Sequence, residues 1–238
     1  MNDTAVQKEK QWSLLSISAI ALLTIVLWHF IPFGRIALYP FIILGTWFHE
    51  MGHGMAALIL GADFHHLQIF PNGSGVAYYS GDLFLGDIGR AIVAGAGPIA
   101  PSIIGFIFIS VSKNWKKARM FIFIFSIILA VCAVIWVRSL FGLIAIIGFA
   151  VFFFISAIYG KPGLNKFLCQ FIGIQAFMSL YLSIDYLFSS SGTTDAGTYY
   201  SDTFVMQQAL FLPYWAWASI IIAISVLLIV LSFRRVMK

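Results

Sequence analysis

Long runs of apolar residues alternate with short polar gaps along most of the 238-residue chain. A helix needs about 20 apolar residues to cross the hydrocarbon core of a bilayer, and seven runs have about this length. They predict membrane-spanning helices at 12–31, 36–60, 91–111, 118–137, 140–159, 167–188 and 213–233. The pattern therefore predicts an all-α integral membrane bundle of about seven transmembrane helices.

Two gaps between these runs are longer than turns. In 61–90, two β-prone stretches flank Asn72-Gly73, which predicts a short β-hairpin after the second helix. The segment 189–212 is rich in Ser, Thr and Gly and is predicted to be a flexible loop. Because the seven helices use most of the chain, we expect one polytopic membrane domain over 1–238, with 61–90 as a hairpin insert.

Composition agrees with a membrane protein. Hydrophobic residues make up 61% of the chain and charged residues 10%, whereas soluble domains have about 25% charged residues. These values exclude a soluble enzyme, a disordered chain and a nucleic-acid-binding protein. The two cysteines, Cys132 and Cys169, lie within apolar runs and predict neither a disulfide framework nor a metal site.

The positive charges indicate an orientation in the bilayer. Seven crossings place the two termini on opposite faces, and the face of the C-terminus then receives ten of the basic residues: Arg35, Lys113, Lys116, Lys117, Arg119, Lys161, Lys166, Arg234, Arg235 and Lys238. The other face receives Lys8, Lys10, Arg90 and Arg138. The positive-inside rule then predicts a multi-pass protein of the cell membrane with a cytoplasmic C-terminus and an external N-terminus.

The second predicted helix contains His49-Glu50-Met51-Gly52-His53, which matches the pattern HExxH. Residues four apart lie on one face of a helix, so the two imidazoles can bind one Zn²⁺ while Glu50 reaches a water molecule at the metal. A carboxylate inside an apolar helix costs about 2.5–3.5 kcal/mol on insertion scales, so it is normally paired or functional.

A catalytic zinc site needs a third protein ligand. Asp185, near the end of the sixth predicted helix, is the remaining acid within an apolar run, and it is the preferred candidate. Asp202 is the alternative if its loop folds back over the site. Gly97-Pro98, near the start of the third predicted helix, permits close helix packing or lines a substrate site.

These motifs resemble those of the site-2 protease superfamily of intramembrane zinc metalloproteases, in particular its small M50B-like members. The resemblance extends from the second predicted helix to the seventh. It implies that two histidines and a distant aspartate hold Zn²⁺ and that the glutamate is the general base, which corresponds here to His49, His53, Asp185 and Glu50. It also implies that Gly97-Pro98 contributes to substrate binding.

The chain departs from the family pattern at two positions. Gly95 and Ala96 stand where the family has an Asn beside its Gly-Pro, and Ile184-Asp185-Tyr186 replaces the usual Leu-Asp-Gly. In well-known members the hairpin after HExxH faces the cytoplasm, whereas the Lys and Arg count places 61–90 outside.

Two functions follow from the sequence. The first is a zinc metalloendopeptidase that cleaves membrane proteins within the bilayer, with Glu50 as general base. The alternative is a metal-binding membrane protein without proteolytic activity, such as a pseudoprotease, a sensor or a small transporter. The expected partners are a membrane-protein substrate and the lipid bilayer, and no nucleic acid.

Overall fold

The computed structural model describes residues 3–237, and the side chains from residue 14 onward. Within this range the chain forms the following helices: α1 Asp3–His29, α2 Gly34–Ile59, α3 Asp87–Val111, α4 Trp115–Trp136, α5 Leu140–Tyr159, α6 Pro162–Leu182, α7 Ile184–Leu187, α8 Asp202–Ala209 and α9 Tyr214–Met237. The strands are β1 Asp63–Ile69, β2 Gly75–Ser80, β3 Ser191–Thr194 and β4 Gly197–Tyr200. The protein is therefore mainly helical, with two small hairpins.

Not every long helix is apolar enough to be counted as a membrane span. Among the described residues, α3, α4, α5 and α9 are each long and apolar enough to cross a membrane, and α1 and α2 qualify only together, as a pair bent by 116°. The structure thus supports four or five candidate spans, and the predicted number of seven is not confirmed. Helix α6 carries Asn165, Gln170 and Gln175, which are buried inside the bundle.

Contacts between the helices define their directions. Helices α1 and α6 are parallel, because Ser16 hydrogen-bonds to Gln170 and, further along both helices, His29 contacts Tyr181. Helix α9 runs the opposite way from α1, since Ile17 and Val236 pack in one cluster. The bundle has two ends, which we name. At the hairpin end, α1 and α6 finish and α3 and α9 start. At the basic end, α3 and α5 finish and α4 and α6 start.

Helix α2 both starts and finishes near the hairpin end. Its first residue, Gly34, lies against the backbone of Leu27 in α1, and after its last turn the carbonyl of Leu60 accepts a hydrogen bond from the amide of Phe84, just before α3. The helix therefore runs obliquely into the bundle and does not cross it end to end. The alternation of seven full crossings is consequently not confirmed: the start of α1 and the end of α9 lie at the same end of the bundle.

The predicted hairpin after the second helix is present. Strands β1 and β2 are antiparallel, with an irregularity between Phe64 and His66. The outer edge of β1 is covered, because its Leu67 carbonyl accepts a hydrogen bond from the Arg138 amide at 2.9 Å. Thr46 of α2 donates to the carbonyl of Gly73 at 2.6 Å, which fixes the turn of the hairpin to the helix that carries HExxH.

The segment 189–212, predicted as a flexible loop, contains regular secondary structure. Strands β3 and β4 form a second antiparallel hairpin, and α8 follows directly. The tips of the two hairpins meet where Asn72 donates a hydrogen bond to Asp195 at 2.6 Å. Because Ser201 caps α8 and its hydroxyl also donates to the carbonyl of Ser189, the base of this segment is closed.

Candidate metal centre

The two histidines of HExxH lie side by side on α2, as their spacing predicts. Their Nε2 atoms are 3.1 Å apart. The Nδ1 atom of His53 is 2.8 Å from the carbonyl oxygen of Val93 in α3. A carbonyl oxygen only accepts hydrogen bonds, so Nδ1 of His53 carries a proton, and in the neutral ring the Nε2 atom then presents a lone pair. A partner of this kind fixes the tautomer and the ring orientation of a metal-binding histidine.

Asp202, the first residue of α8, completes the cluster. Its Oδ2 atom is 3.1 Å from Nε2 of His49, and its Oδ1 atom is 3.3 Å from Nε2 of His53. Among the described residues, His49, His53 and Asp202 form the one group of three whose ligand atoms lie close enough to share an ion, within 4.8 Å of one another. Asp185 lies in the wall of the same cavity, outside this group.

The structure therefore places the alternative, Asp202, against the histidines and leaves the preferred candidate, Asp185, outside their group. The reason is that α6 ends at Leu182, so Asp185 belongs to the separate single turn α7. The hairpin that follows returns the chain to the histidines at the start of α8.

The donor atoms fit a zinc ion. In a tetrahedral site with bonds of about 2.0–2.2 Å, neighbouring ligand atoms are about 3.3–3.6 Å apart. The two Nε2 atoms are 3.1 Å apart, and each lies 3.1 or 3.3 Å from a different oxygen of Asp202, so each of these contacts is close to that spacing. The Oδ2 atom of Asp202 is buried and has no hydrogen-bond donor, which is costly for a charged group. A cation among the three side chains removes this cost, so these residues fit Zn²⁺.

Glu50 lies beside this cluster, only 7% exposed. Its carboxylate accepts a hydrogen bond from the backbone of Ala77 in β2. The strand approaches so closely that a Cβ atom on Gly75 would lie 2.8 Å from Cγ of Glu50. The first hairpin therefore holds Glu50 in place, which neither the HExxH pattern nor the hairpin pattern reveals alone.

Gly97 and Pro98 are not in the wall of the cavity. A Cβ atom on Gly97 would lie 2.1 Å from Nε2 of His53, so this glycine makes room for the imidazole. Pro98 is buried within α3, which continues through it without a break. The predicted role of these residues in substrate binding has no support in the geometry, because both belong to the packing between α3 and its neighbours.

A cavity of about 690 Å³ opens over the centre. Glu50 and the cluster of His49, His53 and Asp202 lie in its wall, together with residues from both hairpins. Many of its other side chains carry hydroxyl groups: Thr46, Ser74, Tyr79, Ser179, Ser183, Tyr186, Ser189, Ser191, Thr193, Thr194, Tyr199 and Tyr200. The wall of the cavity is therefore rich in hydroxyl groups, although it lies in an apolar bundle.

Tyr186 contacts Asp202 from the other side of the cluster. Its hydroxyl oxygen accepts a hydrogen bond from the backbone amide of Asp202 at 3.2 Å. Burial raises the pKa of the Tyr186 hydroxyl far above its usual value, and the carboxylates of Asp202 and Glu50 raise it further. The hydroxyl thus stays protonated and can also donate. No sequence motif points to this residue.

The other histidines lie away from the centre. His65 contacts Ser80 and His66 stacks on Tyr78 in the first hairpin, while His29 contacts Tyr181.

The fold and the site thus define a class: a helical membrane protein with a buried His-His-Asp cluster and an adjacent glutamate, as in metallopeptidases. Comparison with family models gives the particular family. Residues 16–232 match the model described as Peptidase M50B-like, and the chain belongs to that family. This confirms the resemblance to site-2 proteases. No curated protein and no solved structure matches the chain.

Proposed function

We propose that this protein is an intramembrane zinc metalloendopeptidase that hydrolyses peptide bonds in or near the transmembrane segments of membrane proteins. The observation that carries the proposal is the convergence of His49, His53 and Asp202 at distances suited to one ion, with Glu50 beside them. Membership of a peptidase family supports the same conclusion.

His49, His53 and Asp202 would hold the ion, which when bound lowers the pKa of water towards 7 and polarises a carbonyl group. Glu50 takes the proton from the attacking water and later delivers it to the leaving amine. The hydrogen bond from Ala77 and the contact with Gly75 keep the Glu50 carboxylate directed into the cavity. The hydrogen bond to Val93 keeps the His53 ring in its binding orientation.

The two hairpins suggest how a substrate binds. Strand β1 is covered on one side by the turn at Val137 and Arg138 and on the other by β2. Residues of β2 and of β3 line the cavity from its two sides. An extended segment of the substrate can therefore add to β2 by main-chain hydrogen bonds. A helical substrate must unwind first, because its peptide groups are paired internally.

The depth of the centre fits a cleavage site close to one membrane face. Val93, which holds His53, is six residues into α3, about 9 Å from the start of that helix. The hydroxyl-rich wall of the cavity favours a polar, unwound segment over a buried apolar helix. We thus expect the scissile peptide bond to lie near one terminus of the substrate's transmembrane segment, at the depth of the hairpin end of the bundle.

The direction of the helices also suggests an orientation. Of the eleven Lys and Arg side chains that the structure describes, eight lie at the basic end: Lys113, Lys116, Lys117, Arg119, Lys161, Lys166, Arg234 and Arg235. Arg35, Arg90 and Arg138 lie at the hairpin end. By the positive-inside rule the basic end is cytoplasmic, so the site opens towards the outside. Labelling of single cysteines in whole cells tests this, and an externally labelled C-terminus contradicts it.

The alternative is a metal-binding membrane protein without proteolytic activity: a pseudoprotease, a sensor or a small transporter. It is favoured by Gly95 and Ala96, which replace the family's asparagine and supply no side-chain amide to a substrate. Such a protein would bind zinc through the same three residues but cleave nothing.

The deciding experiment uses the full chain in vesicles with a model transmembrane substrate. We expect the wild type to cleave it and a chelator to stop the reaction. Glu50→Gln should retain zinc but lose about 10²–10⁴-fold in rate, the usual contribution of a general base. Asp63→Asn, an exposed acid of β1, is the matched control and should cleave normally. Full activity in Glu50→Gln refutes the mechanism, and zinc binding without any cleavage by the wild type favours the alternative.

A further inference from the structure

Asp202 reaches the histidines from a short helix in a connecting segment, and this position requires support. Helix α8 has eight residues, and it follows a hairpin of two four-residue strands. A carboxylate on such an element is not fixed by its own helix in the way that His49 and His53 are fixed by α2. Some other group must therefore define where its oxygens lie.

Two contacts fix the backbone of this helix. The hydroxyl of Thr203 donates to the carbonyl of Leu187 at 2.7 Å, and the amide of Ser201 donates to the carbonyl of Ser190 at 3.1 Å. Both join the start of α8 to the segment just after α6. Neither contact involves the carboxylate of Asp202, so they leave its direction open.

Tyr186 provides a contact to Asp202 itself. Its hydroxyl accepts a hydrogen bond from the Asp202 amide at 3.2 Å and also interacts with the Asp202 carboxylate. A phenolic hydroxyl can donate and accept at once. A single side chain therefore contacts the backbone and the side chain of the same residue, which restricts the rotation of the carboxylate.

The ring of Tyr186 is itself held in place. Gly192 of β3 lies against it so closely that a Cβ atom there would be 2.6 Å from Cε2 of the ring. On another side, Tyr186 packs against the buried cluster that contains Leu180, Leu187 and Met206. The ring thus has little freedom, and its hydroxyl is presented to Asp202 from a fixed position.

We infer that Tyr186 is a positioning residue of the metal centre: it holds the Asp202 carboxylate where both of its oxygens meet the histidines. The inference rests on the proposed metal centre and adds to it a residue outside the three ligands. It predicts that the hydroxyl of Tyr186 contributes to metal affinity although it does not contact the metal.

The test is the zinc affinity of the purified full chain, measured by competition with a chelator. Removal of a group that orients a metal ligand typically costs 10–100-fold in affinity, and we expect Tyr186→Phe to lose about this factor. Tyr181→Phe is the matched control, because its hydroxyl is also hydrogen-bonded at the hairpin end but to His29. This control should bind zinc as tightly as the wild type.

A spectroscopic measurement separates positioning from general structural damage. With Co²⁺ in place of zinc, Tyr186→Phe should show an altered visible absorption spectrum, while the melting temperature of its metal-free form stays that of the wild type. Gly192→Ala keeps the hydroxyl but displaces the ring, and it should change the spectrum in the same way.

The outcomes are distinguishable. If His53→Ala loses zinc binding while Tyr186→Phe keeps the affinity and the spectrum of the wild type, the inference on Tyr186 is overturned and the metal centre stands. If the wild type itself binds no zinc, the proposed function fails and this inference fails with it.

Discussion

The two sides of the candidate metal centre are built in different ways. On one side, α2 carries His49, Glu50 and His53 within five residues of a single helix. On the other, Asp202 arrives through α7, a hairpin and α8, which we call the return segment, residues 184–209. The spacing of the histidines is set by the pitch of a helix, whereas the place of Asp202 depends on hydrogen bonds and packing between elements. We therefore expect the spacing of His49 and His53 to tolerate substitutions elsewhere in the protein. The position of Asp202 should depend on the residues around it.

The same contrast explains why two aspartates of the return segment have different positions. Asp185 and Asp202 both line the cavity, but only Asp202 pairs with the histidines. We expect Asp202→Asn to reduce zinc affinity more than about 100-fold, beyond the cost of losing an orienting group. Asp185→Asn should leave the affinity within a few-fold of the wild type. Zinc competition measures both, and an equal loss in the two variants would contradict the assignment.

Metal removal should affect the return segment more than α2. Zinc at 100 times its Kd stabilises a protein by about 2.7 kcal/mol, which corresponds to about 5–10 °C in the melting temperature of a chain of this size. Chelation should lower the Tm by this amount and expose 184–209 to limited proteolysis first. The variant His49→Ala serves as control, since chelation should leave its Tm unchanged. If α2 is cleaved before the return segment, the contrast is wrong.

Two glycines of α3 should differ in their tolerance of a methyl group. Gly97→Ala places a carbon 2.1 Å from the His53 ring, whereas Gly95→Ala meets only the end of the Met206 side chain at 3.3 Å. Overpacking of this kind costs about 1–3 kcal/mol, and we expect Gly97→Ala to lose stability and zinc affinity together. Thermal unfolding and zinc competition on both variants test this. Equal stability of the two would show that His53 can move away.

The smallest effect concerns the first hairpin, which is outside the metal cluster. Burial lowers the pKa of His66, and the positive charges of Arg138 and His65 lower it further. The unfolded chain, with a His pKa near 6.5, then binds more protons than the folded one, so stability falls as the pH drops below that value. His66→Gln should make the Tm less dependent on pH between about 5 and 7. Both proteins carry His53→Ala, so that the metal site does not contribute to the pH dependence. If the Tm changes with pH equally steeply with and without His66, the prediction is refuted.

Much of the helical architecture could be predicted, since apolar length alone identifies α3, α4, α5 and α9. The hairpin at 63–80 was also predicted, because a Gly/Asn turn between β-prone stretches is a local signal. The folded state of 189–209 was missed: Ser, Thr and Gly suggest flexibility, but here their hydroxyl and backbone groups bond to α7 and α8. The oblique course of α2 was missed as well, because its apolar length is that of a complete span.

The sequence by itself determined the membrane class, the HExxH pair and the identity of Glu50 as the neighbouring carboxylate, because each depends on composition or on the fixed pitch of one helix. The tertiary structure decided which aspartate joins the histidines, why Gly97 and Gly75 must be small, and that Tyr186 contacts Asp202. These features depend on contacts between residues far apart in the chain. Such contacts exist only after the helices and hairpins have packed, so no local pattern records them.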